Sequence, residues 1–210
     1  MIDFRSNETG GFIIKTNITP SHKQFIWILT EKSGLIQTIA SLPKKFTHQL
    51  QGKTELLSYG QFKIFNGRQQ FSLSSIANLD NSHLDDISAN RLMLITQICQ
   101  ICQKVSPPEQ PNPELFNLLL EVHNQLKEKG TNITNLLIYF LTKLLVGAGA
   151  LTFNNSTPKT DRTKILYYCL NLPVANFISI KINDKTQADY LNFCYQILNE
   201  YAHSNFKQLF

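Results

Sequence analysis

Near residue 82 the hydrophobic period of this chain changes, and that change limits the folds open to it. Before it, apolar residues alternate in short runs broken by Gly, Asn and Pro; after it, they recur at helical spacing almost to the C-terminus. The pattern predicts an α+β protein, with a five-stranded OB-type β-barrel over residues 1–80 and an all-α helical domain over residues 81–210. At 210 residues there is enough chain for two small cores.

Strands are expected at 12–18, 24–30 and 35–40, the last entered through Lys32-Ser33-Gly34. A hairpin follows, 55–65 with 69–76, turning at Asn66-Gly67, a pair suited to a two-residue type I′ turn. In the second strand Phe25, Trp27 and Leu29 share one face and Ile26 and Ile28 the other. A strand apolar on both faces is either central or has an outer face that meets something. Core packing is the expected role of Trp27, and Phe65 and Phe71 are expected to pack across the hairpin.

The first helix is expected to start at a Ser82 cap, with Asp85 and Asp86 in its first turn, and to stop at Pro107-Pro108. Asn112 caps the next, with Pro113 and Glu114 behind it and Gly130 closing it. Residues 131–147 form a nearly all-apolar helix, central to a bundle. Lys143 near the middle of 135–153 costs roughly 2.5–3.5 kcal/mol in a bilayer, so a buried helix is expected there and not a membrane span. Residues 163–170 fit helix or strand, and 184–203 an amphipathic helix with Leu191, Cys194, Leu198 and Tyr201 inward. The polar opening MIDFRSNETG has no signal-peptide character, and a cytoplasmic location is expected.

Nothing in the motif content points to catalysis. His22, His48, His83, His123 and His203 are scattered, and HExxH, GxSxG, P-loop and GxGxxG patterns are missing. Cys99 and Cys102 form a CxxC late in a helical pattern with no second pair, so free buried thiols are expected, with no metal and no cofactor. The chain is expected not to be an enzyme.

Charge is more informative. The first 80 residues hold nine Lys/Arg against five Asp/Glu, and the remainder eleven against ten, so the excess lies in the β half. A basic loop, SLPKKFTHQLQGK, sets Lys44, Lys45, His48 and Lys53 around Phe46. Lysines there suit phosphates and the ring suits base stacking; equally, the loop fits a solvated segment with Phe46 tucked into the barrel end. Lys15, Lys63 and Arg68 extend the candidate track if the barrel gathers them on one side.

In order and spacing, several segments are similar to the RecO family of bacterial recombination mediators. These are Gly11-Phe-Ile-Ile-Lys15, Ile28-Leu-Thr-Glu-Lys-Ser-Gly34-Leu35 and the loop Ala40-Ser-Leu-Pro-Lys44-Lys45-Phe-Thr-His-Gln-Leu50-Gln-Gly52. The run Pro111-Asn-Pro-Glu-Leu-Phe116-Asn-Leu-Leu-Leu120 and the tail Asn205-Phe-Lys207-Gln-Leu-Phe210 complete the set. The resemblance implies an OB domain and a helical domain that bind single- and double-stranded DNA and anneal complementary strands. It also implies a RecR-like partner, with which the protein helps load recombinase onto DNA coated by single-stranded-DNA-binding protein, whose C-terminal tail is a further expected partner. It puts Lys44 and Lys45 in the family's basic loop. Many members carry a Cys₄ zinc module after the central helix; here 149–158 has no cysteine, so zinc is not expected. Two other readings stay open: a protein-interaction adaptor docking partners through the helical domain, and an RNA-binding OB protein.

Overall fold

The structure, a computed structural model, describes residues 6–20, 23–40, 55–67, 70–85, 87–152 and 159–206. Five strands, β1 (Ser6–Ile18), β2 (Gln24–Thr30), β3 (Gly34–Ala40), β4 (Tyr59–Asn66) and β5 (Phe71–Asp80), close into a barrel in the order β1-β2-β3-β5-β4. A 3₁₀ turn (Ser82–Leu84) precedes α1 (Ala89–Val105), α2 (Pro113–Lys127), α3 (Ile133–Gly147), α4 (Asp161–Asn171), α5 (Val174–Ile178) and α6 (Asp184–Ala202). The expected α+β architecture, an OB barrel followed by helices, is the one observed.

Two compact units divide the chain: residues 1–87 with 95–116, and 88–94 with 117–210. In the first, β1 runs six residues further back than its alternation suggests, because it serves two ladders. Its first half pairs with β4 (Ser6↔Phe65 to Phe12↔Tyr59) and its second with β2 (Gly11↔Thr30 to Ile18↔Gln24), with an irregularity between Ile13 and Lys15 that turns the strand between them. Ile13, Ile26, Ile28, Ile36, Phe62, Ile64 and Leu73 fill the barrel. A short parallel pairing, Thr38–Ala40 with Phe71–Leu73, closes it.

That closure leaves the start of β3 without a strand partner on one edge, and the segment after α1 covers it. Pro108 bridges Leu35 in parallel, and the Glu109 N–H donates to the Leu35 carbonyl at 3.0 Å. Gly34 makes this approach possible. Its φ is +68°, and a Cβ there would run into the Gln110 carbonyl and stand 2.8 Å from the Gln110 nitrogen. Phe116 completes the unit, its ring 5.5 Å from that of Phe12 and 6.5 Å from that of Tyr59.

Three local expectations are corrected. The β4–β5 ladder ends at Asn66↔Phe71, so the connection is residues 67–70, closed by Gly67 N–H to Gln70 O (3.1 Å), and not a two-residue turn at Asn66-Gly67. In that register Phe65 faces Ser72 and Phe71 faces Asn66, which puts the two rings on opposite faces; Phe71 packs against the barrel core. Ser82 opens only the 3₁₀ turn, and α1 begins seven residues later behind Ser88, whose Oγ accepts from the Arg91 N–H at 3.3 Å. The 3₁₀ turn buries His83, which is fully enclosed with its Nε2 2.9 Å from the Leu56 carbonyl.

In the second unit α3 is the central helix expected. Every residue from Asn135 to Leu145 except Lys143 is buried, and α4, α5 and α6 pack around it. Asn135 ties three segments, donating to the Ile178 and Ile180 carbonyls (3.1 and 2.9 Å) and accepting from Gln187 Nε2 (2.8 Å). Asn132 caps α3 and Asn112 caps α2 by accepting from the Asn135 and Leu115 N–H groups, both at 3.0 Å. A capping box between Thr160 and Thr163 decides the ambiguous 163–170 stretch for helix. Leu191, Cys194 and Leu198 face inward on α6, whereas Tyr201 is 43% exposed. Among the described residues no helix is long and apolar enough to cross a membrane.

Candidate nucleic-acid interface

Strand parity assigns the faces of β2. Ile26 and Ile28 point into the barrel and are fully buried, so Phe25 and Trp27, one residue out of step, are half-exposed on the outside. The expectation that Trp27 packs in the core is therefore corrected. The barrel has room for one face of β2, and the two isoleucines occupy it.

The pairing registers of β1, β2 and β3 set two rows across this outer face. Lys15, Trp27 and Gln37 form one row, and Asn17, Phe25 and Ile39 the other. The Lys15 ammonium lies 4.9 Å from the Trp27 ring centroid, a cation–π contact at a half-exposed site. The Phe25 and Trp27 rings are 6.4 Å apart, centroid to centroid.

Two open cavities flank β3, both inside the barrel unit. One, about 560 Å³, lies among Phe25, Ile39, Phe71, Gln70 and Glu109; the other, about 530 Å³, among Trp27, Lys104, Val105 and Pro107. They share Leu35, Gln37 and Pro108. Both fall within the range of small-ligand sites. An aromatic and amide face with two lysines at its margins can stack planar groups and neutralise phosphates. The strand 2–3 face is also where OB barrels hold oligonucleotides.

Of the residues singled out from sequence, Lys15 joins this face. Lys63 does not: it sits opposite Glu8 on the β1–β4 ladder and pairs with it at 3.8 Å. Lys44, Lys45, Phe46, His48, Lys53 and Arg68 lie outside the described residues. Phe25, Trp27, Gln37, Lys104 and Glu109 were not read as site residues. The apolar character of both faces of β2 was the signal for the first two.

The ionisable groups with displaced pKa values are of a different kind. Burial pushes the Cys99 thiol up to about 12 and Cys194 likewise to about 12, and it raises Cys102, Cys169, Tyr139, Tyr190 and Tyr195 as well. These groups stay protonated at neutral pH, the reverse of an activated nucleophile. All four cysteines are free and buried, as expected. Among the described residues no cluster of His, Cys, Asp and Glu is arranged to hold a metal ion.

A closed five-stranded barrel in OB order, followed in the same chain by a helical bundle, defines the class: an OB-fold protein of the α+β type. Residues 88–151 match the family model described as recombination protein O C terminal. Among curated proteins the chain is similar to a "DNA repair protein RecO" of Clostridium perfringens, 28% identical over 178 residues, covering 83% of this chain and 68% of the relative. A protein of the same name from Dehalococcoides mccartyi is 29% identical over 68% of this chain and 56% of its own length. One from Acetivibrio thermocellus is 23% identical over 97% of this chain and 82% of its own. The family-model match and these relatives agree in likening the chain to the RecO family.

Proposed function

We propose that this protein is a DNA repair and recombination mediator that binds single-stranded DNA across the outer face of β2 and β3. The Lys15–Trp27–Gln37 row carries the reading: a cation, a half-exposed stacking ring and an exposed amide in cross-strand register on the outside of the barrel. The names of the relatives support a repair role. In this reading bases stack on Trp27 and Phe25, while Lys15 and Lys104, with Lys44, Lys45, Phe46, His48, Lys53, Lys63 and Arg68 as further candidates, meet the strand elsewhere. Double-stranded DNA binding, strand annealing and recombinase loading with a RecR-like partner and the tail of a single-stranded-DNA-binding protein complete the proposal.

Trp27 is the only tryptophan in the chain, so its fluorescence reports on this face directly. Titration with a single-stranded oligonucleotide is expected to quench it. Trp27→Ala is expected to weaken binding by about 1–3 kcal/mol, the worth of one stacked base, with the salt slope retained. Lys15→Ala should flatten that slope by about 0.7. Binding that leaves Trp27 emission unchanged and survives Trp27→Ala would move the site off this face. No binding at low salt would favour the adaptor reading.

A further inference from the structure

Glu109 has a backbone conformation that side-chain-bearing residues rarely adopt. Its φ is +58°, in the left-handed region. Two contacts hold it there: Pro108 bridges Leu35, and the Glu109 N–H donates to the Leu35 carbonyl at 3.0 Å. Strain of this kind persists where the surroundings impose it and concentrates at functional sites. The consequence here is positional. Glu109, an exposed residue, is held in the lining of the larger cavity together with Phe25 and Phe71.

The polar groups of that cavity are unequal. Gln37 and Gln70 are amides, able to donate and accept, so they suit any base edge. Glu109 only accepts and is charged. It repels a phosphate from this cavity and favours a ligand that presents N–H donors. Among the bases of a strand, those carrying an exocyclic amino group present a planar face to aromatic rings and a donor edge to a carboxylate. Cytosine offers N4–H₂ to such an acceptor, whereas thymine presents O4 in its place. A base stacked in a duplex does not enter the slot.

Building on the proposed single-strand site, we infer that this cavity takes an unpaired base and prefers cytosine to thymine, with Glu109 accepting from the amino group. The barrel face then has a base preference in addition to its general affinity for the strand.

The test is competition by unlabelled oligo-dC and oligo-dT of equal length against a labelled mixed-sequence strand, with the full chain, at mildly alkaline pH so that cytosine stays unprotonated. The wild type is expected to favour dC about threefold to tenfold. Glu109→Gln should bring the ratio close to one, the ratio of the two competitors being the readout whatever the overall affinity. Glu109→Gly serves as the second variant, because it removes the carboxylate and suits the left-handed backbone, and it should lose the preference too. Equal competition by dC and dT in the wild type overturns the inference alone, as does a preference retained in both variants. Absence of all single-strand binding overturns the site reading and this inference with it.

Discussion

Gly34→Ala should loosen the segment that covers β3, by an amount that a second glycine calibrates. At Gly34 φ is +68°, and any Cβ costs about 1–2 kcal/mol there from left-handed strain. The same Cβ would occupy the place of the Gln110 carbonyl, a backbone group with no rotamer to move away. The segment must withdraw, which forfeits the Glu109–Leu35 hydrogen bond, worth about 0.5–1.5 kcal/mol net, and uncovers Leu35, now only 6% exposed. Gly130 also has positive φ, +78°, but nothing lies within 4 Å of where its Cβ would be. Gly130→Ala therefore bears the strain without the collision. The stiffening of the unfolded chain by alanine is common to both variants and cancels in the comparison. Gly34→Ala should be the less stable of the two by at least about 1 kcal/mol, or roughly 0.3–1 M in urea midpoint for ordinary m-values. Far-UV circular dichroism through a urea titration reads this. Equal midpoints for the two variants would show that the segment does not press on β3 at Gly34, and would remove the support argued for Glu109.

Two further perturbations test the interior. Asn135→Ala removes a fully buried side chain and leaves the part-buried Ile178 and Ile180 carbonyls and the buried Gln187 amide without their partner, and should cost about 1–3 kcal/mol, read as a lower thermal midpoint of the helical signal; no measurable drop would mean that water or repacking replaces the network. The cysteines predict a pH dependence. Burial raises Cys99 and Cys194 from an ordinary value near 9 to about 12, so the folded state retains thiol protons that the unfolded state releases. Their contribution to stability is fully present below about pH 9 and is lost progressively as pH rises through about 12. A thiol reagent at pH 8 should accordingly modify the native protein only as fast as it unfolds, and rapid stoichiometric labelling of folded protein would contradict the burial.

Local signals in the chain carried much of the architecture. Asn112 and Asn132 sit three residues ahead of the N–H groups they cap, so their roles are contained in a single helical turn. The run 135–145 has no polar face wide enough for solvent, and it became the buried centre of the helical unit. The five strands followed from alternation and turn residues, with errors at the ends: β1 extends back to Ser6 because its second ladder, to β4, lies some fifty residues along the chain. The hairpin turn and the start of α1 were misplaced for a related reason. Asn66 is held in the β4–β5 ladder by pairing with Phe71, and His83 by enclosure beside Leu56, and neither constraint is contained in the local residue pattern.

The candidate interface divides along the same line. Amino-acid order alone determined that β2 is apolar on both faces, that the positive charge gathers in the barrel half, and that Lys15 precedes a strand rich in aromatics. Only the tertiary structure decided which face of β2 turns inward. A one-residue change of parity exchanges Trp27 for Ile28, and the choice depends on Ile13, Ile36, Phe62, Ile64 and Leu73, which come from four other strands and jointly fill one barrel. Closure also decided that residues 108–110 return to cover β3 and hold Glu109 in the lining of a cavity, seventy-four residues from its partner Leu35. Periodicity and capping act within a few residues and can be read along the chain. Register, closure and the filling of a shared interior are agreements among distant segments, and they exist only once those segments have packed.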